Sequence, residues 1–210
     1  IFSNKGGVGG LVVLKSRGIG ELDARKLYVD ETIGDYKTSA AKLGGEFRYR
    51  KAGISLNYER KTSRGDFRYT DPLGNERTRI NNHSDSHNIH GKVSFPVEGE
   101  LDLMVNYIKS RKGSPGPIYQ LDSAAIIENE KLLTNLSYLR HLDSDSDLSI
   151  RAGGIINNDA YSSNSGFIKY NVETDESKYF IAAGFRSENI LKWGVEAEYS
   201  YEDFKTYDNL

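Results

Sequence analysis

Cysteine is absent from the 210 residues of this chain, so neither a disulfide nor a thiolate metal site can hold it together. Long apolar runs are absent too: nothing approaches the roughly 20 residues that a membrane helix needs. A mean hydropathy of -0.59 with 28% charged residues would ordinarily mark a water-soluble protein. It does not exclude a membrane crossed by tilted strands of about 9–11 residues, whose hydropathy signal is far weaker. An excess of positive charge is also missing. The formal net charge of -2 argues against a nucleic-acid partner, which usually meets a basic face. No leader with a charged and then an apolar stretch is seen from Ile1 onward; for an exported protein the signal would lie upstream.

What the chain does have is tyrosine, 14 against 8 Phe and a single Trp. A ring with a polar tip suits a surface that is apolar on one side and wet on the other. Only 4 Pro accompany 21 Gly, a balance that suits strands and turns better than helices.

The dominant pattern has period two. Leu43, Gly45, Phe47 and Tyr49 alternate with Lys42, Gly44, Glu46 and Arg48. Ile54, Leu56 and Tyr58 form a second such series, and Ile89, Gly91, Val93 and Phe95 a third. Leu101 to Tyr107, Leu132 to Tyr138 and Leu148 to Ala152 continue it. Ile168 to Val172, Tyr179 to Phe185 and Trp193 to Tyr201 complete it. With Leu27 to Tyr36 added, the reading is about ten strands, each with one apolar and one polar face. One short helix is considered, over Ser123 to Lys131.

The connections alternate in length. Lys51 to Gly53, Glu98 to Glu100, Asp143 to Asp147 and Thr174 to Ser177 are short; Thr62 to His87 and Lys109 to Glu130 are long, and Asn157 to Ser165 is intermediate. Loops beyond about 12–15 residues are usually functional. Long loops at one end of an up-and-down meander and tight turns at the other are the layout of outer-membrane barrels. Tyrosines at strand ends (Tyr36, Tyr49, Tyr58, Tyr107, Tyr138, Tyr179, Tyr201) fit interfacial girdles. Period two by itself leaves open whether the apolar face meets lipid or a soluble core, since a β-sandwich alternates in the same way.

Residues Ile1 to Arg17 read differently. Gly6, Gly7, Gly9 and Gly10 precede a continuous apolar run, Leu11 to Leu14, the pattern of a strand buried on both faces. No Gly-Lys-Ser/Thr follows, so this is not a phosphate loop.

The Gly-Gly-Val-Gly-Gly stretch, the short apolar strand and Lys15-Ser16-Arg17 resemble the end of the plug domain of TonB-dependent outer-membrane receptors. Ser63-Arg64-Gly65-Asp66-Phe67 with Arg79-Ile80-Asn81-Asn82 resembles the loop after the family's third barrel strand, and Lys112-Gly113-Ser114-Pro115-Gly116 the loop after its fifth. The resemblance implies an all-β chain. Residues 1–20 would end the plug, and 21–210 would form the first part of a transmembrane barrel of about 22 strands, open in this stretch. The TonB box and most of the plug are expected before Ile1, and the rest of the barrel after Leu210. The implied activity is energy-coupled import of a scarce ligand, such as a ferric siderophore or cobalamin, across the bacterial outer membrane. Its implied partners are the TonB complex and outer-membrane lipid. A passive porin-like small barrel and a soluble β-rich binding or adhesin module are the rival readings.

Arg64, Asp66, Phe67, Arg68, Tyr69, Arg77, Arg79, Asn81, Asn82 and His83 make the long loop the candidate for ligand contact. Arginine forks suit carboxylate, catecholate or phosphate, and rings offer stacking faces. His83, Asp85 and His87 would share one face of a strand, with His90 on the other, a weak candidate for a metal. Asp143, Asp145 and Asp147 lack the Gly and distal Glu of a calcium loop. No catalytic constellation and no cofactor motif is present, so no enzyme is expected. Glu46, Arg48, Glu59, Lys92, Arg151, Glu196 and Glu198 are expected to line a wet interior, with Arg48 and Glu59 as a candidate pair.

Overall fold

A computed structural model describes residues 25–115, 125–164, 169–187 and 193–209. The described residues are strands and connections, without a helix. The strands are β1 (Arg25–Gly34), β2 (Thr38–Tyr49), β3 (Ala52–Ser63), β4 (Phe67–Thr70), β5 (Glu76–Arg79) and β6 (Ser84–Pro96). They continue with β7 (Glu100–Gly113), β8 (Ile126–His141), β9 (Ser146–Ser163), β10 (Tyr170–Ser187) and β11 (Trp193–Asn209). Nine of them form one open antiparallel sheet in the order β1-β2-β3-β6-β7-β8-β9-β10-β11, and β4-β5 is a separate hairpin inserted between β3 and β6. The chain is therefore an all-β, up-and-down meander.

Paired residues of an antiparallel ladder share a face, so the register sorts the side chains. One row across the sheet reads Phe47, Ile54, Val93, Leu103, Leu136, Ala152, Ile181, Tyr199. The row beside it on the other face reads Glu46, Ser55, Lys92, Met104, Asn135, Gly153, Phe180, Ser200. Glu46, Arg48, Glu59, Lys92, Arg151, Glu196 and Glu198 all fall on that second face, as the alternation requires.

Burial is inverted relative to a soluble sheet. Leu56 and Ile181 of the apolar face are 56% and 54% exposed, whereas Lys92 and Ser94 of the polar face are 9% and 3% exposed. Among the described residues the buried hydrophobic side chains are only Ala52, Ala125 and Ala182. A flat single layer would expose both faces alike. Burial of Lys92, Ser94, Asn157 and Ala182 means that the sheet curls toward its polar face, in the way twisted sheets coil. Ala52, Ser146 and Ser187, buried residues of the apolar face, sit at its tight-turn end.

The apolar band has an upper edge. Its last row holds Leu43, Tyr58, Ile89, Tyr107, Leu132 and Ile156. The next row toward the long loops is Ala41, Arg60, His87, Lys109, Glu130, Asn158 and Asp175. Arg60 meets Asp85 at 2.9 Å, Lys109 meets Glu130 at 3.2 Å, and Arg111 meets Glu128 at 3.2 Å. Tyr58 and Tyr107 thus mark the edge of the band in mid-strand rather than the strand ends, because the strands run on past it.

That continuation corrects several sequence readings. The strand read as Leu27 to Tyr36 is β1, with Tyr36 in the turn beyond it. Thr174 to Ser177 is no turn: β10 passes straight through it. Residues 126–131 of the helical candidate belong to β8, Ala125 precedes that strand, and Ser123 lies outside the described residues. Arg48 sits opposite Gly53 while Glu59 sits opposite Lys42, so that expected ion pair is replaced by Lys42–Glu59 at 3.6 Å and Lys61–Glu59 at 3.0 Å. Gly6, Gly7, Gly9 and Gly10, and with them the segment 1–20, lie outside the described residues.

Candidate functional site

Four connections gather at one end of the sheet, where β1 turns into β2, β3 leads to β6, β7 to β8, and β9 to β10. The first is tight: Thr38 N donates to Asp35 O at 3.0 Å, with left-handed backbone at Tyr36 and Lys37, the geometry of a type I′ hairpin turn. This turn brings the Tyr36 ring to the Phe67 ring, 6.2 Å between centroids at 68°, and Phe67 in turn contacts Tyr69 edge-on at 6.4 Å.

The segments singled out for their family resemblance converge here. Gly65 takes a φ of +63°, and its carbonyl accepts from Asn82 Nδ2 at 3.0 Å. Asn81, at a φ of 61°, donates from Nδ2 to Ala125 O at 2.8 Å and to Ser114 O at 3.4 Å. Gly113 N donates to His83 O at 2.8 Å, and a side chain at Gly113 would run into the backbone of Asn81. These residues therefore clamp the connection 64–83 to the β7–β8 connection. These bonds hold the loops to one another.

The β4-β5 hairpin is closed by Asp71. Its carboxylate accepts from the amides of Leu73 and Asn75, each at 2.9 Å, and from Arg77 Nε at 2.6 Å. Those donors, the Asn75 amide foremost and then Arg77, hold the Asp71 carboxyl down at about 2. Arg77 is raised by the same partner. It is committed to the hairpin and is not a free ligand fork.

The remaining candidates separate clearly. Arg64, Asp66 and Arg68 are exposed, and Arg79 lies opposite Phe67 in the hairpin register. His83 supplies its carbonyl to Gly113. Asp85 faces Arg60 and lies 3.4 Å from His87 Nε2, while His87 Nδ1 is 2.8 Å from the Tyr58 hydroxyl. His83, Asp85 and His87 form no three-ligand cluster among the described residues. Asp143 and Asp147 close a polar turn: Asp143 accepts from the amide of Asp145, and Asp147 meets His141 Nδ1 at 2.5 Å.

Beneath the hairpin, on the polar face, lies a cleft of about 410 Å³ lined by Tyr36, Ser63, Phe67, Asn82, Ser84 and Lys112. Phe67 and Asn82 were legible as candidates. Tyr36, Ser63, Ser84 and Lys112 were not, because they reach the cleft from separate connections and strand ends. Ser63 and Lys112 did each stand in one of the resemblance segments. No protein-family model matches this chain, and no curated protein matches it.

Proposed function

We propose that this sheet is part of the wall of an outer-membrane β-barrel, and that the parent protein is an active-uptake receptor for a scarce extracellular ligand. The observation that carries the membrane reading is the inverted burial: an exposed apolar band on the outside of the curl and polar side chains within it. On β9 and β11 the band covers Leu148 to Ile156 and Trp193 to Tyr201. Each is about nine residues, close to the roughly 9–11 that a tilted strand needs to cross the hydrocarbon. Tyr58 and Tyr107 at its edge, followed by a row of ion pairs, fit the passage from hydrocarbon to head groups. The tight turns then face the periplasm and the clamped loops face outward.

The transport step rests on the resemblance of residues 1–17, 63–82 and 112–116 to TonB-dependent receptors. The parent then takes up a ferric siderophore, cobalamin or similar ligand, and the TonB complex supplies the energy. Among the described residues the sheet has two free edges, which have no place in lipid, so this reading requires further strands to complete the wall. The test is a deletion of the gene in its own host, grown under iron or cobalamin limitation. The reading expects loss of uptake of one such ligand, restored by the full-length gene and abolished again without TonB. Uptake that is unchanged in the deletion strain, or that persists without TonB, refutes it.

A further inference from the structure

The cleft under the β4-β5 hairpin has a chemistry of its own. Ser84 and Lys112 are direct cross-strand partners at the ends of β6 and β7. Neither side chain has a hydrogen-bond or ion-pair partner among the described residues. By contrast, Ser63 is tied to Thr38, their hydroxyl oxygens 3.0 Å apart, and the amide nitrogen of Asn82 is spent on Gly65. Among the described residues, an unpartnered ammonium and an unpartnered hydroxyl therefore stand side by side in the cleft. None of its lining residues is acidic, and the Tyr36 and Phe67 rings form part of its wall.

We propose that this cleft binds an oxyanion borne on an aromatic ring, with Lys112 and Ser84 donating to the anion and the ring packing on Tyr36 and Phe67. An ammonium and a hydroxyl that both point at one oxyanion make charge-assisted hydrogen bonds, about twice as strong as neutral ones. Two rings meeting edge to face leave an apolar wall that suits a third ring in an offset or edge arrangement. The anion and the ring are thus recognised by separate parts of the same cleft. That the cleft opens to the outside of the cell rests on the proposed function; the binding chemistry does not.

The test is ligand-detected NMR titration of the purified full-length protein in detergent, with benzoate as the probe. Benzoate is expected to bind saturably, with benzamide at least about tenfold weaker and cyclohexanecarboxylate at least about threefold weaker. Lys112→Gln should weaken benzoate at least about tenfold, Lys112→Arg should restore most of it, and Ser84→Ala and Phe67→Leu should each weaken it severalfold. Lys112 and Ser84 are at the end of the sheet, so these variants are expected to fold; far-UV circular dichroism checks this. The proposal is overturned if wild type shows no saturable benzoate binding. It is equally overturned if Lys112→Gln binds as well as wild type, or if cyclohexanecarboxylate binds as well as benzoate. Lys112-dependent benzoate binding by a protein that supports no uptake would sink the transport reading and keep the cleft. Uptake without benzoate binding would do the reverse.

Discussion

The Tyr28 hydroxyl on β1 crosses over Gly44 on β2 to donate to the side-chain oxygen of Asn57 on β3. Any side chain at Gly44 would occupy the space of the Tyr28 ring and of the Asn57 amide. The bridge lies on the polar face, where Lys26, Tyr28 and Asp30 pair with Glu46, Gly44 and Lys42. It pins the edge strand to the two behind it, where packing is poor because Leu27 and Val29 of β1 are 78% and 75% exposed.

Gly44→Ala is therefore expected to lose the bridge, at a cost of about 0.5–1.5 kcal/mol for one hydrogen bond. Tyr28→Phe should cost a similar amount, and the double variant no more than either alone, since both remove the same contact. Thermal unfolding of the full-length protein and the three variants in detergent measures this. Additive losses would show that Gly44 acts by some route other than Tyr28.

The loop clamp predicts a split between two variants on either side of one contact. Asn81→Gly keeps the left-handed backbone but loses the bonds to Ala125 and Ser114. Gly113→Ala forces a methyl group into the backbone of Asn81, which cannot move aside as a flexible side chain can. Gly113→Ala should cost the more, about 1–3 kcal/mol as for overpacking elsewhere. Limited proteolysis is the measurement. Both variants should be cut faster within 64–83, and Gly113→Ala fastest. Equal resistance in wild type and Gly113→Ala would remove the clamp.

How far these features could be read from sequence depended on where the apolar band ran. Inside it, alternation located the strands and sorted the charges Glu46, Lys92 and Arg151 to one face. Beyond it, both faces are wet and alternation stops. For that reason Thr174 to Ser177 looked like a turn, and the start of β8, Glu128-Asn129-Glu130 between apolar and basic neighbours, looked like part of a loop. Ion-pair partners need register, which sequence does not fix: a shift between β2 and β3 separates Arg48 from Glu59 and delivers Lys42 instead. The cleft was the least legible feature, because Tyr36, Phe67, Ser84 and Lys112 meet only after three connections have folded over the sheet.

Acid should open the hairpin in a defined range. The Asp71 carboxyl titrates at about 2 in the folded hairpin, against about 3.9 for an unperturbed aspartate. The unfolded hairpin therefore binds its proton first as pH falls. The stabilisation is fully present above about 4 and is lost as pH drops through the folded value. The ¹³C shift of the Asp71 carboxyl should stay at its ionised value down to about pH 3. Protection of the Leu73 and Asn75 amides should then disappear with it. In Asp71→Asn the same protection should be weaker at neutral pH and independent of pH. A wild-type midpoint near 4 would mean that the carboxylate is not held by these donors.

The sharpest test of the wall turns on neighbouring residues. Leu103 and Met104 follow one another on β7, but Leu103 belongs to the apolar row and Met104 lies opposite Lys92 on the polar face. A soluble sheet with a partner layer over its apolar face would also reject a charge at position 103. It would not, however, make the penalty depend on depth across the band. In a lipid-facing wall, Lys costs about 2–4 kcal/mol near the middle of the hydrocarbon and about 0–1 near its edge. Leu103→Lys should therefore strongly reduce the folded protein recovered from outer-membrane fractions. Tyr107→Lys, on the same strand and face but at the edge of the band, should reduce it little. Met104→Lys, on the polar face, should reduce it less than Leu103→Lys, its cost being the like charge set opposite Lys92. Equal losses from Leu103→Lys and Tyr107→Lys would point to a packed protein interface in place of lipid. A greater loss from Met104→Lys than from Leu103→Lys would turn the sheet inside out.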